Sequence, residues 1–65
     1  MIKVMLLNGE ELIINAELIE AIESPHDTII TLTTGRKITV QDSSEEVVQK
    51  VVAYRQFVNT SYGGR

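Results

Sequence analysis

The residues of this chain that could do chemistry are one histidine and two pairs of carboxylates. His26 stands beside Asp27, an arrangement in which the imidazole could act as a base and the carboxylate could orient it. No serine or cysteine nucleophile is marked by its context, so we interpret the pair as part of a solvated loop. Glu10-Glu11 and Glu45-Glu46 are interpreted as solubilising residues at a turn and at a helix start. The sequence therefore predicts no catalytic residues and no enzyme.

Residue types that hold metals and phosphates are also scarce. The chain has no cysteine and only one histidine, so a zinc or iron site would lack a second imidazole or thiolate. The glycines of Asn8-Gly9, Thr34-Gly35 and Gly63-Gly64 occur where a turn or a tail accounts for them, and they do not form a phosphate loop. We expect neither a metal nor a cofactor.

The balance of charge argues against nucleic acid as a partner. The net charge of −3 repels phosphate backbones and anionic lipid. The few aromatic residues give no stacking platform on the predicted strands. Acidic residues dominate positions 1–27, whereas basic residues dominate positions 28–65. Four basic residues could form a patch that binds an acidic protein surface, namely Arg36, Lys37, Lys50 and Arg55.

A chain of 65 residues has room for one domain with a small core. Below roughly 70–80 residues, a domain without a disulfide or a metal depends on a very regular core or on a partner subunit. No apolar run approaches the roughly 20 residues that span a bilayer, and residues 1–4 lack the pattern of a signal peptide. We expect a cytoplasmic protein without membrane insertion.

Apolar alternation and turn residues predict five strands. They cover residues 2–7, 10–15, 19–24, 28–33 and 37–40. Asn8-Gly9 predicts a type I′ hairpin turn, which needs positive φ at both central residues, and Thr34-Gly35-Arg36 forms a second hairpin turn. Strict alternation places Ile19 and Ile22 on opposite faces of the third strand. Pro25 ends that strand.

Helical segments connect and complete the sheet. Asn15 caps a single turn that has Glu17 in its favourable first position. Ser43 and Glu46 form a capping box, and the helix that they start runs to about Val58. Lys50 and Arg55 are expected to stay in solvent. On the opposite face an apolar stripe is expected to pack on the sheet, and it consists of Val47, Val51, Tyr54 and Val58. This stripe is widened by Val48, Val52 and Phe57.

These elements predict a single α+β domain over residues 1–58. It is a small antiparallel β-meander of about five strands, bent or barrel-like, with one C-terminal helix. Residues 59–65 have nothing to bury and are expected to form a flexible C-terminal tail.

Two of the predicted strands carry apolar residues on both faces. In the first strand, Met5 and Leu7 face away from the positions that point to the core, and in the fourth strand Ile29 does the same. One helix of about 16 residues covers only one face of a sheet, and a large exposed apolar patch is rare on a monomer. We therefore predict a homo-oligomer whose interface includes Met5, Leu7 and Ile29.

Short stretches in a defined order extend from Ile2 to Val58 and resemble one protein family. The stretches are Ile2-Lys3-Val4, Leu7 to Glu11, Asn15 to Glu20, Ile22-Glu23, Pro25 with Asp27-Thr28, Ile30 to Lys37, Val40, and the helix from Ser43 with Val47, Val48, Val51 and Tyr54. In order and spacing they resemble the flagellar FlbD family, which includes SwrD-like swarming motility proteins. The residues from Tyr62 to Arg65 lie beyond the usual family core.

The resemblance implies a small protein that is needed for full motility or swarming. It implies support of the power of the flagellar motor by protein–protein binding, at the stator and on the cytoplasmic face of the motor. It implies no enzyme activity and supplies no catalytic or ligand residues.

Two alternatives stay open at this point. Residues 15–23 and 28–37 are also similar to the middle of the LytTR DNA-binding domain, which would make the chain a nucleic-acid-binding regulator. That domain is longer and more basic, and the net charge of −3 argues against contact with DNA. The other alternative is a purely structural homo-oligomer.

Overall fold

In this computed structural model, the structure describes residues 1–63, with side chains as far as Phe57. Five strands come first along the chain, and one helix follows them. The elements are β1 (Ile2–Met5), β2 (Glu11–Ile14), a 3₁₀ turn (Ala16–Leu18), β3 (Ile19–Glu23), β4 (Thr28–Leu32), β5 (Lys37–Val40) and the helix α1 (Ser44–Gly63). The predicted α+β architecture is confirmed.

The strands form two antiparallel sheets that meet at one corner. β1 pairs with β2 in the first sheet, and β4 lies between β3 and β5 in the second. The corner is a single bridge between Leu6 and Val40, beside which the Gln41 amide donates to the Met5 carbonyl at 2.7 Å. Within residues 1–63 the sheets do not close into a barrel, because β2 and β3, which the 3₁₀ turn separates, do not pair with each other.

The hairpins β1–β2 and β4–β5 share one geometry. The strand residues pair in the same register in both hairpins. In the first turn the Leu6 amide donates to the Glu10 carbonyl at 2.8 Å, and in the second the Leu32 amide donates to the Arg36 carbonyl at 2.8 Å. Gly9 and Gly35 have φ of 90° and 91°, and no other described residue has a positive φ. The predicted type I′ turn at Asn8-Gly9 is therefore wrong. A three-residue loop needs the left-handed backbone only at its last residue, so Asn8 keeps negative φ.

The 3₁₀ turn and β3 combine a confirmed prediction with a corrected one. The Asn15 side chain caps the turn by accepting from the Glu17 amide at 3.0 Å, as predicted. In β3, however, the register shifts between Ile19 and Ala21. This bulge adds a residue to one side of the ladder, so Ile19 and Ile22 both pack against the core instead of lying on opposite faces.

The core lies between the sheets and under the beginning of α1. Thr28 is the buried polar residue among otherwise apolar neighbours. The buried apolar side chains are Ile2, Val4, Ile14, Ala16, Ile30, Leu32, Ile38, Val40 and Val47. They come mainly from alternate positions of the strands, as a sheet with one buried face requires.

The helix α1 begins where the sequence predicts and ends later. The Ser43 amide donates to Glu46 Oε1 at 2.8 Å and the Glu46 amide donates to Ser43 Oγ at 3.1 Å, which confirms the capping box. The predicted end near Val58 is wrong, because the helix continues to Gly63. No glycine or proline interrupts the chain between Gly35 and Gly63, so nothing stops the helix earlier. Of the predicted tail, Gly64 and Arg65 lie outside the described residues.

Among the described side chains of α1, those that pack against the core are Val47, Val51 and Tyr54. Val47 is fully buried and Val51 and Tyr54 are half-buried, whereas Val48, Val52 and Phe57 are exposed. The predicted widening of the buried stripe by these three residues is therefore wrong. Val58, the last residue of the predicted stripe, lies outside the described side chains.

Candidate protein-binding cleft

The residues that could have formed a reactive site are spread over the surface. His26 and Asp27 lie in the exposed loop between β3 and β4, and the carboxylates of Glu10-Glu11 and Glu45-Glu46 are exposed. Among residues 1–63, no three histidine, aspartate or glutamate side chains lie close enough to hold a metal ion. In the same part of the chain, α1 is too polar to cross a membrane.

The predicted basic patch is divided among three places. Arg36 and Lys37 are exposed at the turn between β4 and β5, and Arg55 is exposed on α1. Lys50 was predicted to stay in solvent, but its ammonium group contacts Asp42 at 2.8 Å and the Lys3 carbonyl at 2.6 Å. Lys50 is therefore paired within the chain although 38% of its side chain stays exposed, and the other three basic side chains are exposed without a contact to it.

The residues of the predicted oligomer interface also lie in different surroundings. Met5 is half-buried at the end of β1, Leu7 is exposed in the following turn, and Ile29 is half-buried in the central strand β4. Ile29 stands between Glu23 of β3 and Thr39 of β5. Of the three, Leu7 presents the most apolar surface.

An open cleft lies between β1 and α1. Its volume is about 530 Å³. Residues 1–5 line one side, and α1 lines the other with side chains at a spacing of three, one and three positions: Lys50, Ala53, Tyr54 and Phe57. This spacing places them on one face of the helix. We refer to this feature as the β1–α1 cleft, and Glu11 and Asp42 complete its lining.

An ion pair between Asp42 and Lys50 forms part of the lining of the β1–α1 cleft. Asp42 Oδ1 accepts from the Met5 amide at 2.8 Å, and Asp42 Oδ2 accepts from Lys50 Nζ at 2.8 Å. Burial of the Asp42 side chain, which is 12% exposed, opposes its charge, but the hydrogen bonds from Lys50 and Met5 outweigh that effect and lower the pKa of Asp42. The carboxylate thus stays ionised while it joins β1 to α1.

A second polar contact holds the middle of the helix. The Tyr54 hydroxyl donates to Glu17 Oε2 at 3.2 Å, which ties α1 to the 3₁₀ turn. Nearer the start of the helix, fully buried Val47 packs against the core. The large exposed apolar side chains of the cleft lining are Met1 and Phe57, which are 68% and 71% exposed. We call this pair the apolar mouth of the cleft.

One feature of this cleft could be predicted from residue spacing, and another could not. The helical spacing of Lys50, Ala53 and Phe57 defines a face beside the buried stripe, and it could have been recognised. The contact of Lys50 with Lys3 joins residues 47 positions apart, which no local pattern reveals.

These features define a small α+β protein with an apolar cleft beside a strand edge. The family model FlbD, described as Flagellar and Swarming motility proteins, matches residues 1–59. The chain therefore belongs to the FlbD family, and the resemblance of its motifs is confirmed. Its role lies in flagellar and swarming motility. Nothing among the curated proteins and nothing among the solved structures matches the chain.

Proposed function

We propose that this protein supports the power of the flagellar motor by binding another protein chain, without catalysing a reaction. The partner is a stator protein, and the contact occurs at the cytoplasmic face of the motor. Membership of the FlbD family supports the role in motility. Exposure of Phe57 beside the β1–α1 cleft supports the binding.

Phe57 is the observation that carries this proposal. A phenylalanine that is 71% exposed leaves most of a large apolar ring in water, where burial against a partner would be favourable. Met1 lies at the same mouth and is similarly exposed. Since grouped exposed apolar side chains rimmed by polar residues are typical of binding surfaces, this mouth is the proposed contact.

A charge substitution at Phe57 tests the proposal. We expect Phe57→Glu to remove swarming and to prevent co-purification of stator subunits, while the unfolding midpoint of the purified protein stays unchanged. The matched control is Gln56→Glu, which adds the same charge at the adjacent exposed position. Normal swarming of the Phe57→Glu strain, or recovery of DNA without motor proteins, contradicts the proposal.

The exposed basic residues offer a second contact with the same partner. Arg36 and Lys37 project from the turn between β4 and β5, where they could meet an acidic surface. We expect the double substitution Arg36→Glu and Lys37→Glu to weaken stator co-purification, and added salt to weaken the wild-type contact. Co-purification that is insensitive to both changes argues against this patch.

Self-association is the second candidate function. Leu7 and Ile13 are 53% and 62% exposed near the two ends of the hairpin β1–β2, and burial of both would favour an oligomer. Sedimentation equilibrium at micromolar concentration tests this, with Leu7→Glu as the variant that dissociates the oligomer. A folded wild-type monomer of 7.3 kDa contradicts it.

A further inference from the structure

The strand edge of β1 that faces the β1–α1 cleft is occupied by side chains in place of a neighbouring strand. On its other edge β1 pairs with β2. On the cleft side, the Met5 amide donates to Asp42, the Lys3 carbonyl accepts from Lys50, and the Met5 carbonyl accepts from the Gln41 amide. Lys3 and Met5 are two positions apart, as expected for residues whose backbone groups point to the same edge.

The two charged side chains reproduce the hydrogen bonds of a strand. The Asp42 carboxylate accepts where the carbonyl of a neighbouring strand would accept, and the Lys50 ammonium donates where an amide would donate. β5 approaches this edge only at the Leu6–Val40 bridge, after which the chain turns into α1. Beyond that bridge the edge opens into the β1–α1 cleft.

We propose that the β1–α1 cleft binds an extended segment of the partner, which adds as a strand to the edge of β1 at Lys3. The segment takes over the Lys3 carbonyl from Lys50, and it places alternate apolar side chains against Ala53 and Phe57. Lys50 keeps its ion pair with Asp42 and withdraws from the carbonyl. This inference rests on the proposed function, because it describes how the partner is held.

The strand edge that faces the cleft favours an extended peptide over other occupants. Met5 is already bonded to Asp42 and to the Gln41 amide, so Lys3 is the position on this edge at which an extended segment can pair. A helical partner satisfies its own backbone groups and could not use this edge.

Peptide selection tests the inference on the purified full chain. Random twelve-residue peptides displayed on phage are selected against the wild-type protein, with Phe57→Glu as the counter-selection target. We expect apolar residues at every second position of the selected peptides. Failure to enrich any peptide over the Phe57→Glu target, or enrichment of a helical spacing, overturns the inference.

Methylation of peptide amides provides the readout that is specific for strand addition. Each backbone nitrogen of one selected peptide is methylated in turn, and the affinity is measured by calorimetry. Because Met5 is already bonded to Asp42 and Gln41, only the peptide amide that faces the Lys3 carbonyl donates to β1, so we expect at least a tenfold loss at that one position and little change at the others. Equal losses at all positions, or none, contradict strand addition.

Substitution of Lys50 tests the displaced hydrogen bond. Lys50→Met keeps the length of the side chain and leaves the Lys3 carbonyl unpaired, so we expect the peptide to bind about three- to tenfold more tightly. The gain should vanish for the peptide that is methylated at the amide facing Lys3. Arg55→Met on the exposed side of α1 is the control and should bind as the wild type does. Unchanged or weaker binding of folded Lys50→Met overturns the inference.

The two proposals fail in different ways. If the chain selects no peptide but Phe57→Glu still abolishes swarming and stator co-purification, the extended segment is wrong and the proposed function stands. If peptides bind in the expected pattern but Phe57→Glu swarms normally, the proposed function is wrong.

Discussion

Gly9 and Gly35 occupy the same place in two hairpins of equal register, with φ of 90° and 91°. No atom of another part of the described chain lies within 4 Å of where a Cβ would stand at either glycine. The left-handed backbone, and not a shortage of space, therefore requires glycine at both positions.

Substitution of either glycine should destabilise the protein through the backbone alone. We expect Gly9→Val and Gly35→Val each to lower the free energy of unfolding by about 1–2 kcal/mol. Asparagine tolerates the left-handed region better, so Gly9→Asn and Gly35→Asn should lose less. Chemical denaturation checks this, and equal stability of the valine variants and the wild type would show that the turns are described wrongly.

Two adjacent valines of α1 should respond very differently to truncation. The side chain of Val47 is fully buried in the core, whereas that of Val48 is 46% exposed. We expect Val47→Ala to lower the free energy of unfolding by about 1.5–2.5 kcal/mol, and Val48→Ala to change it by less than about 0.5 kcal/mol. Urea denaturation of both variants gives the measurement. A larger effect at Val48 would mean that the opposite face of α1 packs on the sheets.

Acid should remove the contribution of Asp42 to stability. The pKa of Asp42 is lower in the folded protein than its ordinary value of 3.8, so its contribution is complete above that value and is lost as the pH falls through the folded pKa. At neutral pH we expect Asp42→Asn to lower the free energy of unfolding by about 1 kcal/mol, since Lys50 is partly in solvent.

The difference between wild type and Asp42→Asn should shrink as the pH falls below about 4. Thermal melts at a series of pH values check the direction, with Asp27→Asn in the exposed loop as the control. A difference that grows towards acidic pH would refute the assigned role of the carboxylate.

His26 should tolerate replacement. Its side chain is exposed in the loop between β3 and β4. We expect His26→Ala to keep the free energy of unfolding within about 0.5 kcal/mol of the wild type and to leave swarming unchanged. Loss of swarming by a folded His26→Ala protein would identify His26 as part of a functional site.

Local signals were sufficient to predict most of the elements. The glycine turns, the Asn15 cap and the Ser43–Glu46 capping box depend on residues a few positions apart, and each lies where it was predicted to lie. The exact turn type was not predicted, because Asn8-Gly9 is compatible both with a two-residue loop and with a three-residue loop. The bulge in β3 also escaped prediction, since strict alternation carries no sign of the extra residue.

The candidate cleft could be predicted only in part. The helix face with Ala53 and Phe57 follows from residue spacing, but its position against β1 depends on contacts between distant parts of the chain. Lys50 illustrates the difficulty: its place on a polar face suggests solvent, whereas the carbonyl and the carboxylate that it contacts are supplied by Lys3 and Asp42. A charged side chain with internal partners looks the same in sequence as one without them.

The corner between the sheets has a consequence for the order of folding. Each hairpin pairs residues that are close in sequence, but the Gln41 side chain donates to the carbonyls of Leu6 and Leu7, which lie 35 and 34 positions earlier. Hairpins form in about 1–10 μs, whereas contacts between distant residues must first overcome loop-closure entropy. On the ribosome, β1 and β2 can pair early, but their apolar face stays uncovered until Gln41 has emerged and the corner can close.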